Sequence, residues 1–343
     1  MPGQARGLLR AARLLAVAGG LAAASGCWPV ASATSCTSDR DCPSGYECDP
    51  IRHYCLCQTC TPTSPGVSNV PSDLLCASSA ELVVANDVVV NTDLATIGGV
   101  AVAASREVEQ GDGAPSITVF SFARIELQPG SRLRVVGSRA LALLACSTVD
   151  LAGIVDVSAT GSLDHVYMEV GGPGGYHGGV KGQPGGGPCS GQAGGGGRFN
   201  GAMQSTGGGG GGHGGVGGAG GPFAGYSAGA GGAVCGEAEL IPLRGGSGGA
   251  GQVAIAGSNP SGDHLGVGGG GGGAVQITAG ERLDIRFGGG VIAAGGGGGQ
   301  TGNGGGAGGG AGGAILLEAP VVTLVSGAIL TANGGGGAAG DCD

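Results

Sequence analysis

The side chains best suited to acid–base chemistry are three aspartates, Asp150, Asp156 and Asp284, which lie in β-rich stretches of the chain. Enzymes that cleave glycosidic bonds use a pair of carboxyl groups, so clustered aspartates on one strand face would suit that reaction. Here each aspartate takes an outward position between core residues, and solvated strand faces are the ordinary explanation. We therefore expect no catalytic residue among them, and polysaccharide cleavage stays an alternative.

Serine and histidine offer no stronger candidates. Ser227 and Ser247 match the pattern G-x-S-x-G, but chance matches are expected where glycine is this dense, and neither serine follows a strand-to-helix turn. The histidines share no metal-ligand spacing, and His177 and His213 lie among glycines, where we expect exposure. The sequence predicts no catalytic, cofactor or metal site, and hence a non-enzymatic protein.

The N-terminus has the layout of an export signal. Arginines precede an apolar stretch at 14–24, which is too short to span a bilayer. The motif Ala24-Ser25-Gly26-Cys27 resembles a bacterial lipobox, in which the cysteine is lipidated and anchors the protein in the membrane. The alternative is cleavage after Ala31-Ser32-Ala33, which would release a secreted protein. We expect an outer-membrane or cell-surface lipoprotein, lipidated at Cys27, or otherwise a secreted protein.

A dense group of cysteines follows the export signal. A segment this short cannot bury enough surface to fold unaided, so disulfides are expected to hold it. The candidates for disulfide bonds are Cys36, Cys42, Cys48, Cys55, Cys57, Cys60, Cys76, Cys146, Cys189 and Cys235. Their pairing is left open, although Cys189 and Cys235 bracket a glycine-rich region that they could close as a loop.

The spacing within residues 36–60 is similar to small extracellular modules of the Dickkopf N-terminal or EB type, which implies an interaction or spacer role without catalysis. A zinc site is the weaker alternative. Cys57-Gln-Thr-Cys60 has ligand-like spacing and His53 is nearby, but disulfides are the commoner use of cysteine in exported chains.

The composition excludes several classes of protein. There are 86 glycines in 343 residues, aromatic residues are 3%, charged residues are 11%, and the net charge is −9. Nucleic-acid binding needs a basic surface, which this chain lacks. Glycine has no side chain to bury, so the glycine runs cannot form an ordinary core.

Three blocks of about twenty residues share one pattern of short alternating strands and tight turns, and alternation places one set of side chains inward. Such a block fits one coil of a parallel β-helix, and coils must stack to cover their apolar faces. We expect Leu82–Val90 and Ile125–Val135 to add earlier coils, with Pro129 and Pro320 at corners. A β-sandwich is the alternative. The blocks begin at Ala140, Ala274 and Ala314.

The text Gly-Gly-Ala followed by Ile or Val occurs at Gly231, Gly272 and Gly312. It resembles half of the repeat of polymorphic outer-membrane proteins, whose passenger is a β-helix. The glycine-rich regions 171–251, 266–273 and 295–313 resemble PGRS-type surface proteins in composition. These regions predict either a disordered brush or, as we favour, polyglycine II-like helices held side by side.

Together these features predict an all-β protein: stacked parallel β-helix-like coils, glycine-rich insertions and a small disulfide-rich module. We expect a structural or adhesive surface lipoprotein. Its partners would be the membrane through the lipid, extracellular matrix or carbohydrate, and its own copies, but not nucleic acid. Polysaccharide binding or cleavage, and ligand binding by the cysteine-rich module, are the alternatives. The expected segments are 1–26 signal peptide, 27–35 tether, 36–76 cysteine-rich module, 77–165 coils, 166–273 glycine-rich insertion, 274–334 coils with glycine-rich loops, and 335–343 tail.

Overall fold

The computed structural model describes residues 46–48, 55–57, 67–160, 169–180, 182–199, 202–222, 225–253, 266–299 and 305–340. The chain divides into two compact units, Met1–Thr61 and Pro62–Asp343. The described part is essentially all-β, with a single 3-10 turn at Ser72–Leu74. In the first unit, strands β1 (Tyr46–Cys48) and β2 (Cys55–Cys57) form an antiparallel pair. Cys27, Cys36, Cys42 and Cys60 lie outside the described residues.

The second unit contains the remaining strands. They are β3 (Glu81–Val84), β4 (Val88–Asn91), β5 (Thr96–Ile97), β6 (Val100–Ala101), β7 (Ser105–Val108), β8 (Ile117–Phe122), β9 (Arg124–Leu127), β10 (Arg132–Val136), β11 (Ala140–Ala145), β12 (Thr148–Leu151), β13 (Ile154–Asp156), β14 (Gly196–Phe199), β15 (Ala202–Ser205), β16 (Ala274–Ala279), β17 (Arg282–Ile285), β18 (Gly290–Ile292), β19 (Ala314–Glu318), β20 (Val321–Leu324) and β21 (Ile329–Thr331).

Most of these strands form three sheets with a repeating order, which we call the β stack. The sheets run β19-β16-β11-β8-β7, β20-β17-β12-β9-β3 and β21-β18-β13-β10-β4-β5-β6. The triplets β8–β10, β11–β13, β16–β18 and β19–β21 each give one strand to each sheet, and strands of successive triplets pair in parallel. Strands β14 and β15 form a separate antiparallel pair. The three predicted blocks are the triplets β11–β13, β16–β18 and β19–β21, and Pro129 and Pro320 lie between strands.

Alternating side chains explain the interior of the β stack. On β12 and β17 the register places Val149 beside Leu283 and Leu151 beside Ile285, and all four side chains are buried. Because side chains on a strand alternate between faces, these residues build continuous aliphatic rows along the stack. Phe120, Leu143 and Ile277 belong to the same core.

The sheet containing β8, β11, β16 and β19 is also covered on its outer face. Val70, Leu74 and Leu75 form a second apolar cluster with residues of these strands and with Leu243. The disulfide Cys76–Cys146, with a Cα–Cα distance of 4.5 Å, fastens this covering segment to the end of β11. Cys76, which the sequence groups with the cysteine-rich module 36–76, is thus bonded to the second unit.

Candidate functional site

The glycine-rich regions form an ordered network of main-chain hydrogen bonds, which we call the glycine lattice. It consists of the segments 175–179, 185–192, 207–212, 217–221, 229–233, 245–251, 266–273, 295–299, 305–313 and 333–338. The segments 266–273 and 305–313 lead directly into β16 and β19. The parallel pairing of these two strands therefore sets the two glycine segments side by side.

Hydrogen bonds of segment 207–212 repeat every three residues. Its amides donate in turn to three neighbouring segments, with N–O distances between 2.8 and 3.0 Å. Gly207 and Gly210 donate to 217–221, Gly208 and Gly211 to 305–313, and Gly209 and Gly212 to 185–192. Segment 207–212 therefore has hydrogen-bonded neighbours on three sides, whereas a β-strand has them on two sides.

The segment 266–273 lies inside the lattice, and every one of its residues is buried. Gly268 donates to the carbonyl of Gly179 at 2.8 Å, and three residues later Gly271 donates to Tyr176 at 2.8 Å. Gly269 and Gly272 donate to the segment 305–313 at 2.9 and 2.8 Å. These four buried amides are satisfied by the main chain of other segments, as buried peptide groups must be.

Space for side chains is missing inside the lattice and present at its surface. A Cβ added at Gly271 would overlap the carbonyl of Gly246, and one at Gly209 would overlap the carbonyl of Ala230. At Gly218 and Gly336 an added Cβ would meet nothing within 4 Å. At these interior positions, neighbouring backbones thus approach closely enough that only glycine fits.

His213, which directly follows the lattice segment 207–212, has a buried ring without hydrogen-bond partners in the described part of the chain. It is 6% exposed, so the expectation of exposure among glycines is wrong for His213, although His177 is exposed. Neither ring nitrogen of His213 has a hydrogen-bond partner among the described residues. Burial lowers the pKa of His213, and the positive charge of Arg244 lowers it further. The ring is therefore held in its neutral form at neutral pH.

A disulfide closes part of the lattice. Cys189 and Cys235, the pair that brackets the glycine-rich region, are joined with a Cα–Cα distance of 6.0 Å. The amide of Cys189 donates a hydrogen bond to Oγ of the buried Ser247 at 3.1 Å. Ser247 thus positions main chain, and it lies in the glycine segment 245–251 rather than on a strand-to-helix turn.

The aspartates were the strongest candidates for catalysis. Asp150 and Asp284 are register partners on adjacent strands, and Glu126 lies beside Asp150 on the other side. We call these three residues the carboxylate row. Arg286 binds Asp150 through two hydrogen bonds of 2.9 and 2.8 Å and reaches Asp284 at 3.3 Å. Arg282 lies 2.7 Å from Asp284.

These ion pairs change the expected environment of the aspartates. Asp284 is 6% exposed and Asp156 is 5% exposed, so the expectation of solvated carboxylates is wrong for both. Asp156 lies in another sheet, where Arg132 and Arg134 contact it at 3.2 and 3.4 Å. The hydrogen bond with Asp150 raises the pKa of Arg286. Each of these aspartates is thus engaged by at least one guanidinium group.

The arginines were missed by sequence reasoning, although a signal for them exists. Arg282 and Arg286 flank Asp284 at a distance of two residues, and alternate residues of a strand share one face. The cross-strand contact of Arg286 with Asp150 needed the sheet register, which the sequence alone does not supply.

Two disulfides indicate an extracellular or otherwise exported protein. Among the described residues no helix has the length and apolar character needed to cross a membrane. Within the same residues, no group of three or more His, Cys, Asp or Glu side chains could hold a metal ion. Protein-family models, curated proteins and solved structures give no match to this chain.

Proposed function

We propose that this chain is a non-enzymatic structural or adhesive protein of the cell surface, built as a stiff scaffold. The observation that carries the proposal is the three-residue repeat of hydrogen bonds in the glycine lattice. In a helix with three residues per turn, such as polyproline II, every third amide points to the same side. We infer that the lattice segments are polyglycine II-like helices packed side by side.

We further infer that the β stack is a parallel β-helix, with each strand triplet as one coil. The support is the sheet order, because each of the four triplets contributes one strand to each of the three sheets. The stack would set the spacing of the glycine segments in the lattice. Since consecutive coils hold 266–273 and 305–313 at neighbouring positions, ordering the glycine segments costs less conformational entropy.

A scaffold of this kind has an unusual contact surface, rich in main-chain groups and small side chains. Lattice positions such as Gly218 and Gly336 leave open space above the backbone. Such a surface suits many weak contacts with extracellular matrix or carbohydrate. Attachment to the outer membrane would use a lipid at Cys27, and the cysteine-rich module would serve as a spacer or interaction module.

A non-catalytic role is supported by the state of the carboxylates. Asp150 and Asp284 are occupied by Arg286 and Arg282, and Asp156 lies in a different sheet. A glycosidase needs one carboxyl group that can donate a proton, together with a second that faces the substrate. In the scaffold that we propose, these carboxylates instead hold neighbouring strands together through arginine.

The proposed function can be tested with binding arrays of matrix proteins and polysaccharides. We expect the full chain to bind at least one of them, and Gly271→Ala to weaken the binding because it disrupts the lattice. Gly111→Ala is the matched control, since it lies outside the lattice and its added Cβ meets nothing within 4 Å. Glycan turnover that disappears in Asp150→Asn would contradict the proposal and support an enzyme.

Lipid attachment needs its own experiment. Metabolic labelling with a palmitate analogue should mark the wild-type chain and leave Cys27→Ser unlabelled. Labelling that persists in Cys27→Ser, or none in the wild type, would contradict the lipid anchor without affecting the scaffold.

A further inference from the structure

The two ends of the β stack differ. At one end, which we call the tail, β19, β20 and β21 are each the last strand of their sheet. Among the described residues, nothing pairs with the outer edges of these three strands. At the other end, the head, the sheets begin with β7, β3 and the group β4-β5-β6.

Core residues are exposed at the tail. The register places Val322 beside Leu283, Leu324 beside Ile285, and Leu330 beside Val291. The inner partners of these pairs are fully buried, whereas Val322, Leu324 and Leu330 are 41, 52 and 41% exposed. The tail residues therefore continue the aliphatic rows of the core, and no further layer formed by the described residues covers them.

The head is closed by the chain itself. Strands β5 and β6 fold back in antiparallel pairing beyond β4, and β7 pairs antiparallel with β8. Ala95, Ile97 and Val102 pack against the core there. Exposed Arg106 and Glu107 lie on β7, and charged residues on an edge strand discourage pairing with another chain.

The tail lacks such protection. Its strands carry one charged residue, Glu318, and that carboxylate is already engaged. It accepts hydrogen bonds of 2.9 Å from Gln276 and 2.9 Å from Thr278, and one of 3.2 Å from the amide of Ser68. Two tails can therefore approach each other without repulsion between unpaired charges.

We propose that the tail is the docking surface for a second copy of this chain, joined tail to tail about a two-fold axis. In that arrangement the edges of β19, β20 and β21 pair across the axis, and the exposed aliphatic residues of the two copies cover each other. A two-fold contact uses the same patch on both partners and closes the assembly. At the head, antiparallel strands cap two of the three sheets and, of the described strands there, only β3 keeps a free edge, so a head does not match the three-strand edge of a tail, and the product is a dimer and not a fibre.

The lattice extends the same surface. Its last segment, 333–338, follows β21 and donates from Gly335 to Gly310 at 2.8 Å. An added Cβ at Gly336 in this segment would meet nothing within 4 Å. The docking surface thus combines an apolar row with an open glycine backbone, and a second copy presents the same two features.

The first test is the mass of the full, exported and oxidised chain in mild detergent by light scattering. We expect a dimer, and we expect Val322→Lys with Leu324→Lys to weaken dimerisation at least about 100-fold, because the lysines would be buried without partners. The control is Val83→Lys with Val100→Lys, which places two lysines on exposed apolar positions of the head. A monomeric wild type, or equal loss in the head variant, overturns the proposal.

The second test identifies what covers the tail even if the lysine variant misfolds. A photo-crosslinking amino acid is placed at Thr323, an exposed residue of β20, and in a second variant at Val83 of the head. We expect a crosslinked dimer from the Thr323 variant alone, joined at the tail of the second copy. Crosslinks from Thr323 to another protein, or to a distant segment of the same chain, overturn the proposal.

Discussion

The β stack and the glycine lattice differ in how they satisfy the hydrogen-bonding groups of their main chains. In the stack, each inner strand bonds to neighbours on two sides, and rows of aliphatic side chains fill the interior. In the lattice, the segment 207–212 bonds to neighbours on three sides, and close backbone contacts replace most side chains in the interior. The two regions should therefore respond oppositely to substitution: the stack to lost atoms, and the lattice to added ones.

The largest effect is expected in the stack. Leu143 is fully buried in the main core, so Leu143→Ala should lower the free energy of unfolding by about 4 kcal/mol through lost transfer energy and a cavity. Urea denaturation followed by the β circular-dichroism signal measures it. Leu94→Ala, at an exposed position, is the control and should change the midpoint little.

In the lattice, one added methyl group should cause a comparable loss of stability. Gly271→Ala should destabilise the lattice by about 3 kcal/mol, because its Cβ would overlap the carbonyl of Gly246 and force two backbones apart. Amide hydrogen exchange of the segment 266–273 measures the change locally. If Gly271→Ala behaves like the open-position control Gly336→Ala, the lattice is not closely packed.

The two disulfides allow the regions to be separated. Replacing Cys189 and Cys235 together by serine should cost about 2 kcal/mol, since the bond closes a loop of 46 residues in the lattice. We expect faster exchange in the lattice and unchanged protection of β11. The matched variant, with Cys76 and Cys146 replaced by serine, should instead loosen the covering segment 67–76. If hydrogen exchange changes in the same segments in both variants, the two disulfides do not stabilise separate regions, which would contradict this prediction.

The smallest effect concerns pH. Because burial and Arg244 lower the pKa of His213, the unfolded chain binds a proton more readily than the folded one. Stability from this residue is present above the unfolded pKa of about 6.5 and is lost as the pH falls below it. The thermal midpoint of His213→Gln should therefore fall less between pH 7.5 and 5 than that of the wild type. His177→Gln, at an exposed position, should follow the wild type.

Sequence reasoning predicted the β stack better than the lattice. Alternation of apolar residues after Ala140, Ala274 and Ala314 predicted three-strand blocks, and these strands are present. The closing strands β5, β6 and β7 were not predicted, because segments of two to four residues carry too little periodicity.

The partners of the glycine segments could not be predicted for a different reason. The runs 207–212 and 268–273 are identical, six glycines each, so no side chain specifies which neighbour each one takes. The flanking strands and the Cys189–Cys235 bond restrict the choice. Burial of Asp156 and Asp284 was missed because their arginine partners are recognised only once strands are placed side by side.

Cohesion of the lattice by main-chain hydrogen bonds is tested most directly by hydrogen exchange at single amides. Nuclear magnetic resonance of the full chain should show Gly268, Gly269 and Gly271 exchanging at least about 1,000-fold more slowly than an unstructured glycine peptide, since their amides are bonded and buried. Exchange of these amides at the free-peptide rate, with β11 still protected, would contradict the ordered lattice and leave only the β stack.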